Sequence, residues 1–159
     1  MSLASKIRNS WKLLQGRGVE ITPATWEHKY ESGHWDYLRS LDQYPRYCVL
    51  AGYARSFARS PAVLDIGCGS GVLERALSGH YSEYVGIDLS ENAVSKAAKG
   101  AGPHASFVCA DALIWEPTRR IDAIVSNEVL YYFQDPASVL RRYEKYLNSK
   151  GAFMIRGAV

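Results

Sequence analysis

Three glycines at alternate positions, Gly67, Gly69 and Gly71, stand between the apolar run Val63-Leu64-Asp65-Ile66 and the segment Val72-Leu73-Glu74-Arg75-Ala76-Leu77. The apolar run reads as a short buried strand. Glycines lack a Cβ, so the backbone there can take positive φ and approach a ligand closely. The segment beyond reads as the first turns of a helix, whose free amides point into the crevice above the strand end. Strand, loop and helix in this order open an α/β domain with a ligand cleft at the carboxyl ends of its strands.

The spacing narrows the ligand. A dinucleotide fingerprint needs a third small residue against the helix, but that position is Val72 or Glu74, depending on the register. No Gly-Lys-Ser/Thr follows, so a P-loop is also excluded. What remains is an acidic strand end before the glycines, suited to a ligand that lacks phosphates and carries positive charge.

Along the chain, Leu3, Ile7, Trp11 and Leu14 recur at helical spacing among basic residues, predicting an amphipathic extension over residues 1–20. It packs on the domain or a neighbouring subunit, or serves a membrane surface or targeting. The segment 22–41 carries Trp26, Tyr30, Trp35 and Tyr37 among acids and histidines. Two readings stand for it: a lid over the cleft, or an aromatic anchor for an N-terminal helix. A helix is predicted over Tyr44–Ala58, with Pro45 in its first turn and Val49, Leu50, Tyr53 and Phe57 inward. Strands follow at 84–88, around Phe107-Val108, around Ala123–Val125 and at Gly151–Ile155. Helices are predicted after Ser90 and over Pro136–Leu147, the latter with Val139, Leu140, Tyr143 and Leu147 inward. This alternation implies right-handed crossovers and a mainly parallel sheet.

With 159 residues and 47% apolar content, one compact domain is expected, residues 21–159 forming its core. The net charge of +3 is small and spread along the chain, so nucleic acid is not strongly implied and a small or modestly acidic substrate fits. Cys48, Cys68 and Cys109 form no C-x-x-C and no histidine stands at metal spacing, which argues for a reducing cytoplasm and against a metal. No apolar stretch approaches the roughly 18–20 residues of a membrane span.

Over residues 26–156 the chain resembles the class I S-adenosylmethionine-dependent methyltransferases. Asp65–Gly71 is similar to the first motif of that family, Tyr84–Ser90 to its second strand with a terminal acid, Phe107–Ala112 to the third strand, and Ile121–Tyr132 to the fourth strand and the methyl-facing segment. The resemblance implies a Rossmann-like, doubly wound sheet of order 3-2-1-4-5. The closing hairpin and last helix usual in the family are absent from this chain, so an open fifth strand is expected, a homodimer covering that strand or the N-terminal helix being one way to shield it.

Asp88 ends an apolar strand about 20 residues past the glycine loop, where a carboxylate can accept both ribose hydroxyls. Its alternative is capping the next helix. The resemblance places Gly67, Cys68, Gly69, Gly71 and Leu89 beside the cofactor, Asp111 and Ala112 at the adenine, Asn127 at the methionine portion, and Trp26 and Tyr30 over the cleft. Leu113 is a further adenine contact. Asp65 either meets the cofactor's ammonium group or orders the glycine loop. Glu128 and Tyr131 are the catalytic candidates, with Tyr132 beside them; Glu128 is either a base or part of the cofactor shell. The expected function is methyl transfer from S-adenosylmethionine to O or N of a small-molecule acceptor by in-line displacement, leaving S-adenosylhomocysteine, with no metal. The absence of N-P-P-Y argues against nucleobase and glutamine amino groups. Two alternatives are carried: a catalytically silent or truncated cofactor-binding module that needs a partner, and an NAD-dependent oxidoreductase, which the failed fingerprint disfavours.

Overall fold

The computed structural model describes residues 22–157, so the expected helix over residues 1–20 lies outside the described residues. Five parallel strands form one sheet in the order β3-β2-β1-β4-β5: β1 (Ala62–Ile66), β2 (Glu83–Asp88), β3 (Ala105–Cys109), β4 (Ile121–Asn127) and β5 (Leu147–Arg156). This is the order the resemblance implied. Strand β1 lies between β2 and β4 and is buried along its whole length, which is why its sequence is an apolar run rather than an alternation.

Successive side chains of β1 face opposite layers. Val63 joins Tyr47, Leu50, Ala54, Leu73, Leu77 and Tyr84 on one side. Leu64 and Ile66 join Ile87, Ile124, Val139 and Tyr143 on the other. The chain leaves β1 for β2 on one side and returns through β4 on the other, so a crevice opens where the strand order reverses.

The helices are α1 (Pro23–Glu31), α2 (Tyr44–Phe57), α3 (Val72–Leu77), α4 (Glu91–Ala98) and α5 (Pro136–Glu144). Polar caps fix three of their starts. Thr22 Oγ1 accepts from Thr25 N at 3.3 Å, Ser90 Oγ from Ala93 N at 3.1 Å, and Asp135 Oδ1 from Ser138 N at 3.1 Å.

Two expectations are corrected. Of the four residues expected inward on α2, only Leu50 is buried; Val49 is 59% and Tyr53 62% exposed, and Phe57 is also exposed. The buried face is Tyr47, Leu50, Ala51 and Ala54, because α2 packs on α3 and a close helix approach selects alanine over larger side chains. The last helix stops at Glu144, with Val139 and Tyr143 buried as expected, Leu140 half-buried, and Leu147 already in β5 opposite Ile121. Polar Asn148, Ser149 and Lys150 hide this early strand start, and the pairing is irregular between Ile121 and Ala123. Among the described residues β5 pairs only with β4, and no helix is long and apolar enough to cross a membrane.

Candidate functional site

The glycine loop crosses the carboxyl end of β2: Gly67 N and Cys68 N both donate to Ile87 O, at 2.8 and 3.0 Å. Gly67 and Gly69 have φ of +74° and +53°. Gly69 N donates to Asp88 Oδ2 at 2.9 Å, and a Cβ at Gly69 would lie 2.7 Å from Tyr30 Oη. A side chain there would take a strained φ and press on the Tyr30 hydroxyl, which favours glycine.

A cavity of about 1000 Å³ opens above this loop. Its walls contain every site residue expected from sequence except Gly71, so the fold brings together Asp65, Gly67, Cys68, Gly69, Asp88, Leu89, Asp111, Ala112, Leu113, Asn127, Glu128, Tyr131, Tyr132, Trp26 and Tyr30. Gly71 precedes α3 behind the wall, where a Cβ would meet that of Ala97 at 3.0 Å.

Asp88 is held at both oxygens, since Ser90 N donates to Oδ1 at 3.1 Å. Each oxygen keeps a lone pair for a further donor. Burial pushes its carboxyl above the ordinary range, against the pull of these amides. Asp65 has a different partner: Tyr84 Oη donates to its Oδ2 at 2.5 Å. Burial pushes the Asp65 carboxyl up to about 7. Hydrogen bonding to the loop amide thus falls to Asp88 rather than Asp65. Asp111 Oδ1 accepts from Leu113 N at 2.8 Å, and Asn127 Oδ1 is buried without a partner. Among the described residues no cluster of His, Cys, Asp and Glu is arranged to hold a metal ion.

At the end of β4, Glu128 takes the left-handed conformation, φ +62°, with its amide donating to Arg156 O at 2.7 Å. Arg156 donates to Glu128 Oε1, and Arg46 Nη1 stands 3.9 Å from the same oxygen. The Glu128 carboxylate is thus engaged from two sides by guanidiniums carried on different elements. Tyr131 and Tyr132 lie beside it with ring centroids 4.4 Å apart, and burial pushes both phenols up.

Segment 22–41 closes the cavity from the other side. Trp26 meets Tyr132 edge-on at 4.6 Å and stacks on Trp35 at 6.0 Å. Glu27 tethers α1 to α4, accepting from Ser90 Oγ at 2.6 Å and Asn92 Nδ2 at 2.8 Å, while Lys96 Nζ donates to Tyr30 O at 2.6 Å. Sequence reading missed Glu27 and Arg46. Glu27 pairs with residues 63 and 65 positions away, and Arg46 meets a partner in another element, so no local spacing marks either.

A methyltransferase-domain family model matches residues 35–157. The chain is 33% identical over 95 residues to the ubiquinone biosynthesis O-methyltransferase of Nitrosomonas europaea, an overlap covering 56% of this chain and 40% of that protein. It is 32% identical over 95 residues to trans-aconitate 2-methyltransferase of Methylobacterium radiotolerans, covering 58% of this chain and 36% of the relative. The chain thus spans well under half of these relatives. Its fold is similar to that of the plantazolicin methyltransferase BpumL, with a TM-score of 0.69, 21% identity, and coverage of 94% of this chain and 61% of the other. The N-methyltransferase NodS of Bradyrhizobium japonicum gives 0.67 and 24%, covering 76% and 64%.

Proposed function

The chain belongs to the class I S-adenosylmethionine-dependent methyltransferase family, and from that premise we propose that it methylates an oxygen or nitrogen of a small-molecule acceptor. The observation that carries this reading is the Asp88–Gly69 hydrogen bond in the wall of a cavity lined by the ends of β1, β2 and β4 and by the residues that follow β3. Relatives named as O-methyltransferase and N-methyltransferase support both acceptor atoms.

The residues present suit S-adenosylmethionine. Asp88 offers one free lone pair on each oxygen to a ribose diol, and we assign Asp111 and the Ala112 backbone, both in the cavity wall, to the adenine edge. The unpartnered Asn127 Oδ1 suits a donor such as the amino-acid ammonium. Leu89 and Leu113 offer apolar contact to the base. When bound, the sulfonium supplies an electrophilic methyl group. The chain's own part is to align the acceptor and exclude water, with segment 22–41 acting as the lid and Trp26 and Tyr30 as its cofactor-side residues. Glu128 and Tyr131 form the acceptor-side wall of the cavity.

The test is incubation with methyl-labelled S-adenosylmethionine and an acceptor panel, alongside calorimetric titration with S-adenosylhomocysteine. Binding with labelled product supports the proposal. Binding with no product across the panel supports the silent-module alternative, and no binding refutes both.

A further inference from the structure

On the methyltransferase reading above, we propose that the acceptor is an aromatic acid whose carboxylate is held by Arg46. Arg46, in the first turn of α2, is the one cationic side chain among the described residues that lines the cavity. Its one ion pair among the described residues is the 3.9 Å contact with Glu128, which Arg156 already engages more closely. Two guanidiniums share one carboxylate, leaving a positive charge beside the methyl-facing end of β4. A second carboxylate completes the pairing, and guanidinium is well shaped to take it in a two-pronged bond.

No other acid of the cavity competes for that position. Asp65 is bonded to Tyr84, Asp88 to two amides, Asp111 to Leu113 N, and Asp135 to Ser138 N and Arg141. The cavity is also lined by five aromatic residues, Trp26, Trp35, Tyr37, Tyr131 and Tyr132. Trp35 Nε1 is buried there without a partner, a donor that suits an acceptor oxygen.

Calorimetric titration of the chain saturated with S-adenosylhomocysteine separates the possibilities. The probes are 4-hydroxybenzoate and trans-cinnamate, their carboxamides, hexanoate, and phenethylamine. Each aryl acid should bind at least about tenfold more tightly than its amide, the difference expected of one charge-assisted hydrogen bond. It should also bind more tightly than hexanoate or phenethylamine. Arg46→Gln should bring the acid-to-amide ratio near one, and Arg46→Lys should retain part of it. Equal binding of acid and amide by the unaltered chain overturns the proposal without any variant. So do tighter binding of hexanoate or phenethylamine, an unchanged ratio in Arg46→Gln, or no probe bound while S-adenosylhomocysteine binds. If S-adenosylhomocysteine itself fails to bind, the parent reading falls, and this one with it.

Discussion

Asp88 Oδ2 accepts the amide hydrogen of Gly69 at 2.9 Å, so the acid that ends β2 also fixes the loop that leaves β1. The shape of the glycine loop and the placement of the cleft's carboxylate are therefore one unit. A change to either residue disturbs both.

Gly69→Ala should be damaging on two counts. The residue has φ of +53°, and the added Cβ meets Tyr30 Oη at 2.7 Å. We expect a loss of about 1–3 kcal/mol in stability, measured by urea unfolding, because a strained φ and overpacking act together. Tyr30→Phe in the Gly69→Ala background should restore part of the loss by removing the clashing hydroxyl.

Asp65 gives the protein a pH dependence of known sign. Its folded carboxyl sits at about 7, against about 3.9 in an unfolded chain. Between those values the native state binds a proton that the unfolded state has released, so stability should fall as pH rises from about 4 to 7. Asp65→Asn should flatten this slope in thermal melts between pH 5 and 7. A slope unchanged in the variant would show that another group is responsible.

Much of this was legible in the sequence. Parallel strands covered on both faces appear as apolar runs, which marks β1, β2 and β4, and glycines with an acid in fixed order mark the cleft. The inward face of α2 was not legible, because periodicity favours large apolar side chains such as Val49 and Tyr53. The interior takes Ala51 and Ala54 instead, where two helices meet closely. The early start of β5 was masked by three polar residues. The Glu27 tether and the Arg46–Glu128–Arg156 cluster join side chains distant in sequence, and such pairs exist only once the sheet is assembled.

Glu27 should make the attachment of α1 sensitive to acid. Its hydrogen bonds to Ser90 and Asn92 hold its carboxyl below the usual range. The tether's contribution is then present above about pH 4.3, the unfolded value, and lost as pH falls through the lower folded value. Amide hydrogen exchange over residues 23–31 should quicken on acidification, and Glu27→Ala should show the faster exchange already at pH 7. Protection unaltered in the variant would mean that the Lys96 bond to Tyr30 O suffices.

Glu128 can be divided into backbone and side-chain parts. Both Glu128→Gly and Glu128→Ala remove the carboxylate, but only glycine takes φ of +62° freely. The glycine variant should be the more stable of the two by about 1 kcal/mol. The reverse order in chemical unfolding would show that the left-handed conformation is not maintained.

The central claim is that the Gly67–Gly71 loop and Asp88 bind the adenosyl ligand, and isothermal titration with S-adenosylhomocysteine tests it most directly. The unaltered chain should bind one equivalent, and Asp88→Ala should bind at least about a hundredfold more weakly, as loss of two hydrogen bonds to a charged group implies. No heat of binding in the unaltered chain, or equal affinity in the variant, would contradict the account.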